Sequence, residues 1–116
     1  MSATVTVYGI TNCDTVKKSR AWFDARGITY QFHDFKKLGV PEAALRHWVN
    51  TLGWEALVNK KGTSWRGLDT AKQAAVVDAE SAMACMLAHS SLIKRPVVSN
   101  GASLTVGFVP EKWLSL

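Results

Sequence analysis

The first 34 residues place the tightest limit on the fold, because two strand-like segments flank a helix-like one. Residues 4–8 and residues 28–33 each alternate between two faces, which predicts a β-strand at each place. One helical face of residues 15–26 carries Val16, Ser19 and Phe23. Gly27 follows where a left-handed helix cap is common. Since such a helix allows a right-handed crossover, we expect both strands to lie parallel in one sheet.

From about residue 40 to residue 88 the chain changes to a helical pattern. Two sets of apolar residues there have the i, i+3, i+4, i+7 spacing of an amphipathic helix. They are Leu45, Trp48, Val49 and Leu52, followed by Ala79, Ala82, Met83 and Met86. Pro41 stands at an expected first helical position, and Asp78 is an expected helix cap. We therefore expect an all-helical insertion over about residues 40–88.

The last quarter of the chain predicts a hairpin and a short helix. The dipeptide Asn100–Gly101 lies between the apolar segments 97–98 and 104–106, a strong hairpin signal. A short helix after Pro110 is expected to dock Trp113 and Leu114. The order is strand, helix, strand, helical insertion, hairpin and final helix, which is the order of a thioredoxin-like α/β fold. Periodicity alone leaves other α/β arrangements open.

Length and composition indicate one globular domain. The chain has 116 residues, of which 47% are hydrophobic and 20% charged, an ordinary mixture that excludes disordered and fibrous classes. We expect residues 1–116 to form a single domain, with the helical insertion inside it. The net charge of +5 is compatible with an anionic small molecule, a nucleic acid or an acidic protein. The basic residues are spread along the chain, and the five tryptophans are dispersed, so we expect core or rim packing rather than nucleic-acid binding.

The two cysteines, Cys13 and Cys85, are too few for a disulfide framework, and no His–Cys cluster has the spacing of a zinc site. The N-terminus has no basic segment followed by a long apolar run, and no apolar stretch reaches the length of a membrane span. The expected compartment is the reducing cytoplasm, without membrane association. Cys85 lies beside apolar residues of the second insertion helix, so we expect a small buried core residue there.

Cys13 directly follows the first predicted strand and stands at the start of the first predicted helix. Unpaired backbone N–H groups and the positive end of the helix dipole stabilise a thiolate at such a position. Lys17, one turn further on, adds a positive charge, whereas Asp14 opposes it. Cys13 is therefore the candidate nucleophile, and a buried inert cysteine is the alternative.

A second candidate group, Lys94–Arg95–Pro96, precedes the predicted hairpin. The planar guanidinium of Arg95 is able to hold a carboxylate or an oxyanion beside a thiolate. An ordinary surface salt bridge is the alternative for Arg95, and composition does not decide whether the bond before Pro96 is cis.

Five segments together resemble the arsenate reductase (ArsC) family, which includes the Spx regulators, and are most similar to its YffB-type members. They are residues 8–20 (YGITNCDTVKKSR), 30–37 (YQFHDFKK), 52–54 (LGW), 61–66 (KGTSWR) and 92–98 (LIKRPVV). The resemblance spans nearly the whole chain and implies a thioredoxin-like fold with a helical insertion. It also implies a cis proline at Pro96, beside the reactive cysteine.

By that resemblance Cys13 is the nucleophile and Arg95 binds the anion. The further candidates for substrate binding are Asn12, Lys17, Arg66 and Pro96. A single nucleophilic cysteine needs an outside thiol to resolve a mixed disulfide, and the YffB-type resemblance implies glutathione as that co-substrate. We expect no metal, because the histidines have no Cys or Asp nearby at the spacing of metal ligands. The implied activity is a glutathione-dependent thiol–disulfide reductase or an arsenate-reductase-like oxidoreductase.

Two departures from the family pattern weigh on this expectation. Arsenate reductases of the family have two further arginines, whereas this chain has Asn59–Lys60 and Gly107–Phe108 at the comparable places. Spx-type regulators commonly have a Cys-x-x-Cys switch, but Val16 follows Cys13 at that spacing. The alternative function is an Spx-like non-enzymatic regulator that binds RNA polymerase or another protein through the insertion.

Overall fold

A computed structural model describes residues 4–101, 103–114 and 116. Within these residues the strands are β1 (Val5–Gly9), β2 (Tyr30–Asp34), β3 (Val97–Ser99) and β4 (Leu104–Val106). The helices are α1 (Asp14–Ala25), α2 (Phe35–Leu38), α3 (Glu42–Leu52), α4 (Trp54–Leu57), α5 (Thr63–Arg66), α6 (Thr70–Ala74) and α7 (Ala79–Ala88). Single 3₁₀ turns occupy Ser90–Leu92 and Pro110–Lys112. The chain divides into two compact units, one formed by Met1–Gly39 with Arg95–Leu116 and the other by Val40–Lys94.

The sheet of the first unit has four strands in the order β2-β1-β3-β4. β1 and β2 pair in parallel, whereas β3 pairs antiparallel with both β1 and β4. The parallel crossover and the C-terminal hairpin are therefore both confirmed. In the hairpin loop, the backbone N–H of Ser103 donates to Asn100 Oδ1 at 2.7 Å, and Gly101 has a positive φ of 90°. The α/β thioredoxin-like fold is confirmed.

Helix α1 packs on this sheet through the predicted face, since Val16, Ser19 and Phe23 are completely buried. The hydroxyl of Ser19 donates to the carbonyl of Thr15 at 2.7 Å, so the one polar group of this buried side chain has a hydrogen-bond partner. The helix ends at Ala25 with Arg26 as its C-cap, and Gly27 follows with a φ of 67°, in the left-handed region as expected.

The core of the first unit is built on aromatic rings. Its buried residues are Val5, Val7, Phe23, Val98 and Trp113. Trp113 lies with its ring centroid 4.9 Å from that of Phe23, and its Nε1 donates to Thr105 Oγ1 at 2.8 Å. The short C-terminal helix therefore docks Trp113 as expected, but the docking of Leu114 is wrong. Leu114 is 62% exposed, because the final turn directs only Trp113 into the core.

The second unit contains α3–α7 and the 3₁₀ turn Ser90–Leu92, with one isolated antiparallel bridge between Val58 and Ile93. The predicted faces of α3 and α7 are largely buried, through Leu45, Trp48, Val49, Ala82, Met83 and Met86. Asp78 caps α7 in a capping box with Ser81, as expected. Pro41 is the N-cap of α3 rather than its first helical residue, because its backbone is still extended. No helix in the described part of the chain is long and apolar enough to cross a bilayer.

Cys85 is not the fully buried core residue that the sequence predicts. It is half-buried and lines a cavity of about 310 Å³ in the second unit, together with Val76 and His89. The buried face of α7 is centred on Ala82 and Met86, and a residue one position before Met86 lies at the border of that face. The packing expected for the tryptophans is confirmed, since all five are buried or half-buried, namely Trp22, Trp48, Trp54, Trp65 and Trp113.

Candidate functional site

Cys13 is the N-cap of α1, directly after the loop that leaves β1. Its backbone is extended (φ −148°, ψ 121°), and its carbonyl accepts the first helical hydrogen bond, from Lys17 N at 2.9 Å. The thiol is free and half-buried, and its side chain caps none of the described N–H groups. The first N–H groups of a helix have no acceptor within it, so those of α1 are available to an anionic sulfur.

The geometry of Gly9 fixes how closely the start of α1 approaches the end of β1. A Cβ built on Gly9 would lie 2.7 Å from Cγ2 of Val16, closer than real contacts allow. Val16 is completely buried in the first turn of α1, three residues after Cys13. The absence of a side chain at Gly9 therefore sets the position of the helix start that carries the thiol.

Arg95 and Pro96 lie at the same end of the sheet as this loop. β3 runs antiparallel to β1, with Val97 opposite Tyr8, so continuing the register places Pro96 beside Gly9. The Arg95–Pro96 bond is cis, as the resemblance implied. Pro96 is buried, and Arg95 is half-buried with its Nε screened from solvent. The structure thus brings the Cys13 loop and the Arg95–Pro96 segment to one edge of the first unit.

The other predicted binding residues are more exposed. Asn12 and Lys17 flank Cys13 in the first unit, and both are exposed. Arg66 belongs to the second unit, where its Nη2 donates to the carbonyl of Lys61 at 3.0 Å. The participation of Arg66 in a site with Cys13 stays a prediction. Lys60 lies over the rings of Trp54 and Trp65, 5.6 and 5.4 Å from their centroids.

Tyr8 is the aromatic residue of β1 nearest to the loop. Its ring centroid lies 5.1 Å from that of His33 and 6.3 Å from that of Phe35. Burial raises the pKa of Tyr8 above its usual value of 10.0, so the phenol stays protonated at neutral pH. Among the residues that the structure describes, no three His, Cys, Asp or Glu side chains are grouped to hold a metal ion.

The sequence analysis missed Arg20 as a site residue. Arg20 Nε donates to the hydroxyl of Tyr30 at 3.1 Å, and its guanidinium carbon lies 4.1 Å from the centroid of Phe32. These three residues join α1 to the outer strand β2. Arg20 and Phe32 line two adjoining cavities of about 560 and 330 Å³, and Tyr30 lines the larger one. The available signal was the seven-residue spacing from Cys13 to Arg20, which puts both on one side of a helix.

Comparison with known proteins supports a family assignment. The ArsC family matches residues 8–116. An uncharacterized protein of Haemophilus influenzae is 36% identical over 109 residues, covering 94% of this chain and 95% of that protein.

Two solved structures are also similar over most of their length. A YFFB protein has 42% identity and a TM-score of 0.91, with 97% of each chain covered. An arsenate reductase (ArsC) related protein of Brucella melitensis has 45% identity and a TM-score of 0.76, covering 97% of this chain and 92% of that one. At the level of the family, the comparison supports a thiol-dependent reductase. The chain belongs to the ArsC family.

Proposed function

We propose that this protein is a glutathione-dependent thiol–disulfide reductase that works with one cysteine, Cys13, in a reducing cytoplasm. The observation that supports it most strongly is a free, half-buried thiol at the N-cap of a twelve-residue helix. The helix dipole and the unpaired N–H groups of its first turn stabilise negative charge on the sulfur, and the thiolate is the nucleophilic form.

The reaction consists of two thiol–disulfide exchanges. In the first, the Cys13 thiolate attacks the glutathionyl sulfur of a mixed disulfide, and the substrate sulfur leaves as a thiolate that takes up a proton. In the second, the thiolate of a free glutathione attacks the same glutathionyl sulfur, and Cys13 leaves as a thiolate. The substrate disulfide is reduced, and two glutathione molecules end as one disulfide. No second protein cysteine takes part.

Arg95 and Pro96 form the opposite wall of this site in the proposal. Arg95 binds a carboxylate of the glutathionyl group, since a guanidinium donates to a carboxylate through two parallel hydrogen bonds. Pro96 brings the backbone of β3 beside the loop. Asn12 and Lys17 contribute polar and positive groups at the helix start.

The chemistry around residue 107 favours a disulfide over arsenate as the substrate. Gly107 N donates to the carbonyl of Pro96 at 2.9 Å, so this position is part of the site edge. The family's arsenate reductases have an arginine at the comparable place, but here Phe108 packs on Trp113, with ring centroids 5.6 Å apart. Among the described residues, the one cation in contact with Phe108 is Lys18, whose Nζ lies 4.3 Å from the centroid of the ring. This positive charge is therefore held over the ring of Phe108.

The test is mass spectrometry of the protein after exposure to oxidised glutathione, with two matched variants. Cys13 and Cys85 are both free, half-buried thiols, so Cys13→Ser and Cys85→Ser remove equivalent groups. We expect one glutathionyl adduct on wild type and on Cys85→Ser, and none on Cys13→Ser. Turnover of a glutathionylated peptide should follow the same pattern, and arsenate should be reduced slowly or not at all.

The proposal fails if Cys13 forms no adduct, or if Cys13→Ser turns over glutathionylated peptide at the wild-type rate. Retention of a protein partner by Cys13→Ser, combined with no turnover by wild type, would instead indicate the non-enzymatic regulator.

A further inference from the structure

Arg20 is held in a fixed orientation by two contacts with β2. Its Nε donates to Tyr30, and its guanidinium stacks over the ring of Phe32. The guanidinium also lies 5.9 Å from the centroid of the Tyr30 ring. Within the described residues Arg20 has no interactions besides these contacts with Tyr30 and Phe32. Asp24 lies one turn further along α1, yet no ion pair joins it to Arg20. The terminal nitrogens of Arg20 are therefore available as hydrogen-bond donors while the plane of the group is fixed.

Arg20 lines a cavity of about 330 Å³, called here the Arg20 groove. Its lining residues are Thr11, Arg20, Phe32, Asp34, Lys37 and Leu38. Arg20 and Lys37 are the two cations of the groove. The one carboxylate, that of Asp34, is 93% shielded from solvent and accepts the N–H of Lys36 at 2.9 Å as the N-cap of α2. The groove therefore presents positive charge to a ligand.

The Arg20 groove begins at the loop that carries the thiol. Thr11 precedes Cys13 by two residues, and Arg20 follows it by seven. Seven residues of helix advance by about 10 Å and return to nearly the same side, so Cys13 and Arg20 lie along one side of α1. A carboxylate seven or eight bonds from the sulfur, as in a γ-glutamyl group or in an Asp next to the cysteine, reaches about 9–10 Å when the chain is extended, so a group attached to Cys13 is long enough to reach the guanidinium.

We propose that the Arg20 groove binds a carboxylate of the disulfide substrate, about two helical turns from the sulfur that Cys13 attacks. This inference rests on the proposed function and adds a specificity determinant to it. Arg20 contacts the carboxylate, Lys37 adds positive charge, and Tyr30 is a positioning residue that acts through Arg20 Nε. The carboxylate belongs either to the glutathionyl group or to an acidic side chain near the disulfide of a protein substrate.

The experiment measures the rate of mixed-disulfide formation on Cys13 by time-resolved mass spectrometry, in a Cys85→Ser background. Oxidised glutathione and bis(2-hydroxyethyl) disulfide, a neutral disulfide, form the first pair of probes. Two peptides form the second pair, each with one cysteine linked to 2-mercaptoethanol and with either Asp or Asn beside that cysteine. The variants are Arg20→Gln, Tyr30→Phe and, as a control, Arg26→Gln.

Arg26→Gln removes the same charge from an exposed residue beyond the end of α1, whose guanidinium lies 4.9 Å from the Trp22 centroid. We expect Arg20→Gln to slow the reaction with a carboxylate-bearing probe about tenfold, as loss of a charged hydrogen bond does, and to leave the neutral probes unchanged. Tyr30→Phe should have a smaller effect in the same direction, since Arg20 keeps its charge but loses the hydrogen bond that fixes its orientation. Arg26→Gln should leave the preference for charged probes unchanged.

A selective effect on oxidised glutathione assigns the carboxylate to the glutathionyl group, and one on the Asp peptide assigns it to the protein substrate. The inference is overturned if Arg20→Gln slows charged and neutral probes equally or slows neither. The proposed function fails separately, if wild type forms no adduct on Cys13 with any probe. Should Arg20→Gln fail to fold, an unchanged probe preference in folded Tyr30→Phe overturns the inference.

Discussion

Substituting Gly9 by alanine tests how the fold positions the start of α1. The added Cβ would lie 2.7, 3.3 and 3.6 Å from Cγ2, Cγ1 and Cβ of Val16. Carbon atoms prefer a separation of about 3.5–4.0 Å, so the closest pair overlaps by about 1 Å. Valine in a helix has one strongly preferred rotamer, and Val16 is completely buried, so rotation does not relieve the contact. Overpacking of this kind destabilises a protein by about 1–3 kcal/mol.

The double variant Gly9→Ala/Val16→Ala distinguishes this clash from a general cost of changing Gly9. Val16→Ala alone removes two buried methyl groups, a loss of about 2 kcal/mol. In the double variant the new methyl group enters the space vacated by Val16. The free energy of unfolding should therefore lie about 1–2 kcal/mol above the additive expectation.

Urea denaturation followed by tryptophan fluorescence measures these differences, and 2 kcal/mol corresponds to a midpoint shift of about 1 M. Gly62→Ala is the control, because its Cβ would lie 2.9 Å from Asn59 Nδ2, at the end of a side chain that can rotate away. We expect Gly62→Ala to be less destabilising than Gly9→Ala. The reasoning is refuted if the effects of Gly9→Ala and Val16→Ala add within about 0.5 kcal/mol.

Two further predictions concern a helix cap and a core hydrogen bond. Hydrogen bonds from the backbone and side chain of Ser81 lower the pKa of Asp78 below its usual 3.8. The stabilisation of the folded state by the Asp78 carboxylate is therefore complete above pH 3.8 and is lost as the pH falls through the lower pKa of the folded state. Asp78→Ala should lower the Tm near neutral pH, and the difference in Tm from wild type should narrow in acid. If thermal unfolding shows the same difference at neutral and acid pH, the mechanism is contradicted. Thr105→Val leaves the buried Nε1–H of Trp113 without its acceptor and should cost about 1–3 kcal/mol in urea denaturation. A loss from Thr105→Val that is equally large in a Trp113→Phe background would show that the hydrogen bond is not the cause.

Much of the first unit is predictable because its signals are local. Strand alternation, the face of α1 and the hairpin dipeptide each lie within a few residues, and the structure has all three. The helical character of the second unit also follows from spacing. Its short helices α4, α5 and α6 have four or five residues each, which is too few for a helical period to be recognised.

The candidate site was only partly predictable. Cys13 and Arg95 are marked by their neighbours in the sequence, since one begins a helix and the other precedes a proline. The contacts of Arg20 with Tyr30 and Phe32 join α1 to β2, and no local pattern reports such a pairing. Leu114 is a case in which the sequence predicted a contact that the structure lacks. Trp113 and Leu114 are both apolar, and the sequence does not reveal which of the two side chains the final turn directs into the core.

The position of β1 between β2 and β3 has a consequence for synthesis of the chain. β2 leaves the ribosome soon after β1, but β3 follows only after the whole stretch between Asp34 and Val97. At about 5–20 residues per second, that stretch takes about 3–13 s to translate. During this interval one edge of β1 has no partner strand, and an open edge of this kind invites pairing with other chains. For several seconds the nascent chain therefore carries both the Cys13 thiol and an unpaired strand edge, before Arg95 and Pro96 have been synthesised.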